Sequence, residues 1–149
     1  AGEKGFATIT IHKYLMNREI GFLMNVLRIF AEENVSIEHM PSGIDSVTLI
    51  VRTKYFTEEK QEIILGRLRN ELNVQTCNVE RDLAIVMVVG QAMAKSVGIM
   101  ARCASALGDA GINLRIVNQG ASEISVMFGI SEAYCSYAVR TLYKELFKV

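Results

Sequence analysis

The chain has 149 residues, half of them hydrophobic, and its sixteen basic and sixteen acidic side chains cancel. That length suits one compact domain or two of about 70–75 residues. Zero net charge leaves no electrostatic footprint for nucleic acid or an anionic membrane. No apolar run reaches the roughly 18 residues of a spanning helix and no signal peptide opens the chain, so a cytoplasmic location is expected.

From Phe6 to Tyr14, Ala7, Ile9 and Ile11 alternate with Phe6, Thr8 and Thr10, a strand pattern. Met16 to Gly21 reads as a loop. Apolar residues then recur at helical spacing between Ile20 and Glu33, and Asn34 is suited to close that helix in the left-handed conformation. Val35 to Met40 alternates again, Pro41-Ser42-Gly43 is a turn, and Asp45 to Thr53 gives a third strand. Thr57 followed by Glu58 and Glu59 marks the start of a second helix, with Ile64, Leu68 and Leu72 on its apolar stripe and Asn73 at its end. Val74 to Glu80 is a fourth strand.

The order βαββαβ predicts an α+β fold, ferredoxin-like, with an antiparallel sheet and helices on one face. Arg81-Asp82 is the one plausible boundary, giving domains 1–81 and 82–149. The second half opens on an apolar strand, Leu83 to Gly90. A loop follows at Gln91 to Lys95, with Ser96 as the expected cap of a helix from Val97 to Ala110 and Gly111 at its end. Strands at Ile112 to Val117 and Glu123 to Ile130 are joined through residues 118–122, and a last helix starts at Ser131-Glu132. This half lacks a last strand of its own. The edge beside Leu83 to Gly90 is too apolar to stay bare, so residues before Phe6, or chain further upstream, are expected to cover it.

The two halves are one unit written twice. A shift of 77 positions lays Ile9–Thr53 on Val86–Ile130 without a gap, placing Gly21 on Gly98, Val35 on Ile112 and Gly43 on Gly120. Two copies are too few for a solenoid; paired modules are the natural reading.

No catalytic constellation stands out. The sequence holds neither a GxxxxGK[ST] nor a GxGxxG loop, and no paired Cys/His metal spacing, so no catalytic residue, metal or cofactor is assigned. Cys77, Cys103 and Cys135 read as buried, reduced thiols. His12 and His39 read as surface or interface residues. RNA-recognition modules share the βαββαβ order, but the third strand lacks their exposed aromatics.

The chemical signal lies where the first strand passes into the first helix, Met16-Asn17-Arg18-Glu19-Ile20-Gly21-Phe22-Leu23. Free amides at a helix start can hold a carboxylate, and Gly21 allows close approach. Ser36-Ile37-Glu38 should lie near that end of the sheet, in the same subunit or a partner's, with Glu38 able to meet an ammonium group. Together these describe a site for a free amino acid. They are equally an ordinary helix start and a solvent-facing acid.

Ile9–Arg52 and the run Val117-Asn118-Gln119-Gly120-Ala121-Ser122-Glu123-Ile124-Ser125 resemble the C-terminal regulatory region of aspartokinases, a tandem of two ACT domains. The segments MNREIGFL and VSIEHMPSGIDSV look like the lysine-responsive monofunctional class. The resemblance implies two ACT modules that bind an effector, lysine or threonine, for feedback control of aspartate-family amino-acid synthesis. It implies a homodimer and a partnership with a kinase domain that would carry ATP and magnesium. It implies effector contacts at Met16, Gly21, Phe22, Leu23, Ser36 and Ile37, with Glu38 and Glu19 standing where that class often has Asp and Ser. Ile20 lies within the same loop. Asn118 and Gln119 match residues of effector sensing or inter-domain contact. The alternative is a stand-alone ACT sensor that controls another enzyme or a transcription regulator.

Overall fold

The computed structural model describes residues 1–90, 97–119 and 125–147. Its elements are β1 (Gly2–His12), α1 (Phe22–Glu32), β2 (Ile37–His39), β3 (Ser46–Arg52), α2 (Glu58–Leu72), β4 (Thr76–Val89), α3 (Ile99–Asp109), β5 (Ile116–Gln119), β6 (Ser125–Ser131) and α4 (Cys135–Phe147). The chain divides into two compact units, residues 5–81 and residues 82–149 together with 1–4.

In the unit 5–81 the strand order is β2-β3-β1-β4, the ferredoxin-like arrangement. β1 pairs antiparallel with β3 from Phe6↔Arg52 to His12↔Ser46, so Ala7, Ile9 and Ile11 point to one face with Val47, Leu49 and Val51. Phe22, Val26, Ile29 and Phe30 of α1 and Ile64, Leu68 and Leu72 of α2 complete that core. Fully burying a side chain such as Phe30 contributes about 1.5–3 kcal/mol. Phe6, Thr8 and Ile50, of opposite parity, are buried as well. β2 is short, and its register with β3 shifts between Ile37 and His39.

Helix ends follow the chemistry of their residues. Thr57 Oγ1 accepts the Lys60 amide at 3.2 Å, a side-chain cap on α2. Asn34 (φ 60°) and Asn73 (φ 55°) take the left-handed conformation past α1 and α2. An ion network bridges these helices: Arg67 binds Glu71 and Glu32 at 2.6 Å each and Glu33 at 3.1 Å, while Arg28 binds Glu32 at 3.1 Å. Hydrogen bonds from Arg67 lower the Glu32 and Glu71 carboxyls below their ordinary value.

In the other unit β4 pairs antiparallel with β6 from Leu83↔Ser131 to Val89↔Ser125, and β5 pairs with β6. Its core joins Ala84 and Val86 to Cys103 and Leu107 of α3, Val126, Phe128 and Ile130 of β6, and Ala138 and Leu142 of α4. The missing fourth strand is supplied by the start of the chain. Ala1 donates to the Met87 carbonyl at 3.0 Å, and its own carbonyl accepts from Met87 N–H at 2.8 Å. One residue exchanging both bonds with one partner is an antiparallel pair. Residues 1–4 therefore group with 82–149, where the sequence assigned them to the first domain.

Other boundaries moved for local reasons. The strands expected at 74–80 and 83–90 form one run, Thr76–Val89, with Asp82 in the left-handed region (φ 61°). The helices expected from Ile20 and from Val97 begin at Phe22 and Ile99, because Gly21 and Gly98 turn the chain at φ 80° first. Asn118 and Gln119, read as loop, extend β5 opposite Met127 and Val126. The expected cap Ser96, the loop Gln91–Lys95 and the turn residues Gly120–Ser122 lie outside the described residues.

Two predictions arise here. A Cβ on Gly129 would sit 2.9 Å from Ile116 Cβ across the β5–β6 pair. Gly129→Val should therefore cost about 1–3 kcal/mol in urea unfolding, and adding Ile116→Ala should recover part of the loss. The second concerns acid. Because Glu32 and Glu71 titrate below their unfolded value of 4.5, the network's contribution is complete above that pH and is lost as the pH falls through the folded value. Arg67→Met should flatten the acid limb of the stability profile; an unchanged limb would show that the network contributes nothing.

Candidate functional site

β1 ends at His12, and the chain must reach α1 within nine residues. Lys13 donates its amide to Asp45 O at 3.1 Å and accepts from Met16 N–H at 3.1 Å. Leu15 adopts a left-handed conformation (φ 59°) and leads into a single 3-10 turn, Met16–Arg18. Gly21 then reverses the backbone at φ 80°, ψ 7° and serves as the N-cap of α1. A glycine carries no side chain to cap with, so the N-cap of α1 makes no side-chain hydrogen bond. Phe22 N–H is taken by Glu19 O at 3.3 Å. The next amides, of Leu23 and Met24, belong to the turn whose donors have no intrahelical partner.

A hollow of about 260 Å³ opens at this point, lined by Met16, Asn17, Glu19, Gly21, Phe22, Leu23, Met24, Ser42 and Gly43. Met16 and Phe22 are buried and Leu23 is half-buried. Ile20 is wholly exposed and does not line it. The wall also includes the turn between β2 and β3, held by Gly43 N–H to Ser46 O at 2.7 Å and Thr48 N–H to Pro41 O at 2.8 Å.

The other expected residues lie elsewhere. Ser36 and Ile37 line a separate hollow of about 460 Å³ with Leu27, Ala31, Asn34 and Val35. Glu38 lines neither, and its Oε1 accepts from Arg52 Nε at 2.9 Å. One chain thus does not bring Met16–Leu23 and Ser36–Glu38 into a common hollow. Asn118 and Gln119 are exposed on β5, in the other unit.

Both acids singled out from sequence are already neutralised within the chain. Glu38 has Arg52. Glu19 has Lys13, whose Nζ is 2.5 Å from Oε1. Sequence reasoning missed Lys13, although a signal was present: it shares the inward parity of Ile9 and Ile11. Met24, Ser42 and Gly43 were also missed as lining residues, and Asn17 was named only as part of the loop.

The remaining chemistry is sparse. Burial pushes the Cys77 thiol up to about 11 and raises that of Cys103, so neither serves as a thiolate. Among the described residues no cluster of His, Cys, Asp and Glu could hold a metal ion, and no helix is long and apolar enough to cross a membrane. What the geometry offers is an uncapped helix start, a small half-apolar hollow and balanced charge.

The two units have the architecture of paired ferredoxin-like modules, and the family model described as an ACT domain matches residues 86–146. The chain is 45% identical to Aspartokinase 3 of Bacillus subtilis over 99% of its length, covering 32% of that protein. It is 27% identical to Lysine-sensitive aspartokinase 3 of Escherichia coli, over 94% of this chain and 31% of that one. Aspartate kinase of Clostridium acetobutylicum, a solved allosteric enzyme, superposes with a TM-score of 0.95 at 35% identity over 100% of this chain and 34% of its own. Along nearly its whole length the chain matches these aspartokinases, and residues 86–146 fit the ACT-domain model. It spans about a third of the length of the curated relatives it matches.

If Gly21 is needed for the left-handed turn, a β-branched side chain there is strained even though the nearest atom to an added Cβ, Met24 Cε, is 3.7 Å away. Gly21→Val should cost about 1–2 kcal/mol, against a smaller loss for Gly21→Asn, which tolerates that conformation. Equal losses in urea titrations would show that the turn is not the reason for the glycine.

Proposed function

We propose that this chain is the allosteric part of an aspartate kinase and that it binds free lysine as a feedback inhibitor. In that reading the chain transfers no phosphoryl group itself. ATP and magnesium bind a kinase domain, which phosphorylates the aspartate carboxylate, and the whole acts in the cytoplasm. What supports the reading is the match along nearly the whole chain to aspartokinases, one of them named lysine-sensitive.

The ligand carboxylate would face the first-turn amides of α1, where free donors and the helix dipole favour an anion. Its ammonium would face Glu38 of a second copy, whose strand Ser36–Glu38 would approach across an edge. β2 is the edge strand of its unit, short and with main-chain groups available for pairing. A two-fold dimer through that edge would bring the two halves of the site together, which a single chain does not. Threonine fits the carboxylate contact equally and brings one ammonium where lysine brings two.

A thermal-shift titration with free amino acids tests this, since a ligand that binds only the folded state raises its stability by mass action. Lysine should raise Tm in a dose-dependent way and threonine less. No shift with any amino acid would contradict the reading, and a larger shift with threonine would replace the effector. Glu38→Ala should stay folded and weaken lysine binding roughly tenfold, about 1.4 kcal/mol, by calorimetry; unchanged affinity would remove Glu38 from the site.

A further inference from the structure

Lys13 stands where period two asks for an apolar side chain. It follows Ile9 and Ile11, both fully buried, and its own side chain is 13% exposed. Its Nζ donates to Glu19 Oε1 at 2.5 Å and to the Leu72 carbonyl at 2.8 Å, and lies 4.9 Å from the centroid of the Phe22 ring. Leu72 ends α2, so this carbonyl belongs to the negative end of a helix dipole. Glu19 and Phe22 line the hollow at the start of α1, and Lys13 does not. The ammonium is therefore held outside the lining, and the Glu19 side chain it binds is 41% exposed and belongs to the lining.

We propose that Lys13 is a specificity-determining residue of the amino-acid site: by holding Glu19 from outside the lining, it cancels that carboxylate and limits how strongly the hollow favours a cationic side chain over a neutral one. The inference rests on the reading above that this hollow takes a free amino acid. A second ammonium entering the hollow meets attraction from Glu19 and repulsion from Lys13 at comparable range, so the net preference is small. With Lys13 removed, Glu19 faces the hollow uncompensated. A guanidinium at the same position would preserve the balance.

Calorimetry on the 149-residue chain decides it, with lysine and its neutral isostere norleucine as probes. In Lys13→Met the lysine affinity should rise about fivefold, as for a partly exposed ion pair, with norleucine unchanged. Lys13→Arg should bind lysine as the parent does, and adding Glu19→Gln to Lys13→Met should remove the gain. Should Lys13→Met not fold, by circular dichroism, Lys13→Gln replaces it with the same expectation. Binding of lysine by Lys13→Met alone also supports the proposal. Equal or weaker lysine affinity in a folded Lys13→Met overturns it while leaving the amino-acid site intact. Absence of binding in every variant overturns both.

Discussion

A left-handed glycine at the start of the first helix is the constraint on which the site depends. Gly21 turns the chain at φ 80°, and because it has no side chain it leaves α1 uncapped. The helix therefore begins with donors that a ligand can use. The same device recurs 77 residues later, where Gly98 at φ 80° starts α3 without a side-chain cap. In both repeats the residue before the glycine is a branched apolar side chain in full contact with water, Ile20 and Val97. By contrast α2 is capped by Thr57, and the ion network that joins it to α1 makes it part of the frame.

The charges of this unit are paired so that little of them is spare. Lys13 holds Glu19 and Arg52 holds Glu38, with Arg52 also 5.0 Å from the Phe6 ring. Arg52 and Glu38 are both partly exposed, so screening keeps the worth of that pair modest. Lys13 is the more constrained cation because it also ties the end of α2 to the loop. In the proposed reading, recognition of an amino acid would depend less on lone charges than on the helix start, the shape of the hollow and the residues a second chain would bring.

Much of the fold was legible because each element carried its own period. Ala7-Ile9-Ile11 and Val47-Leu49-Val51 fixed the facing strands. Thr57, Asn34 and Asn73 behaved at their helix ends as short polar side chains should. Strand ends and the first domain's start were less legible. That residues before Phe6 would cover the apolar edge beside Leu83 was legible, whereas the particular partner, Met87 for Ala1, lies 86 residues away and no local pattern records it. The site was legible only on its helix side. Met16, Glu19, Gly21, Phe22 and Leu23 do share one hollow, whereas Ile20 among them faces water. Ser36, Ile37 and Glu38 were placed by topology alone; Ser36 and Ile37 line another hollow, and Glu38 pairs with Arg52. Ion pairing of both acids depends on cations that are distant in sequence or of unexpected parity, Arg52 and Lys13.

In the proposed reading an amino acid binds at the uncapped start of α1. Amide hydrogen exchange of the chain with and without saturating lysine tests it most directly, because the amides that meet the carboxylate report on themselves. Slowed exchange centred on Gly21 to Met24 is the result the account predicts. Ligand protection confined to other segments, with these amides unchanged, would contradict it.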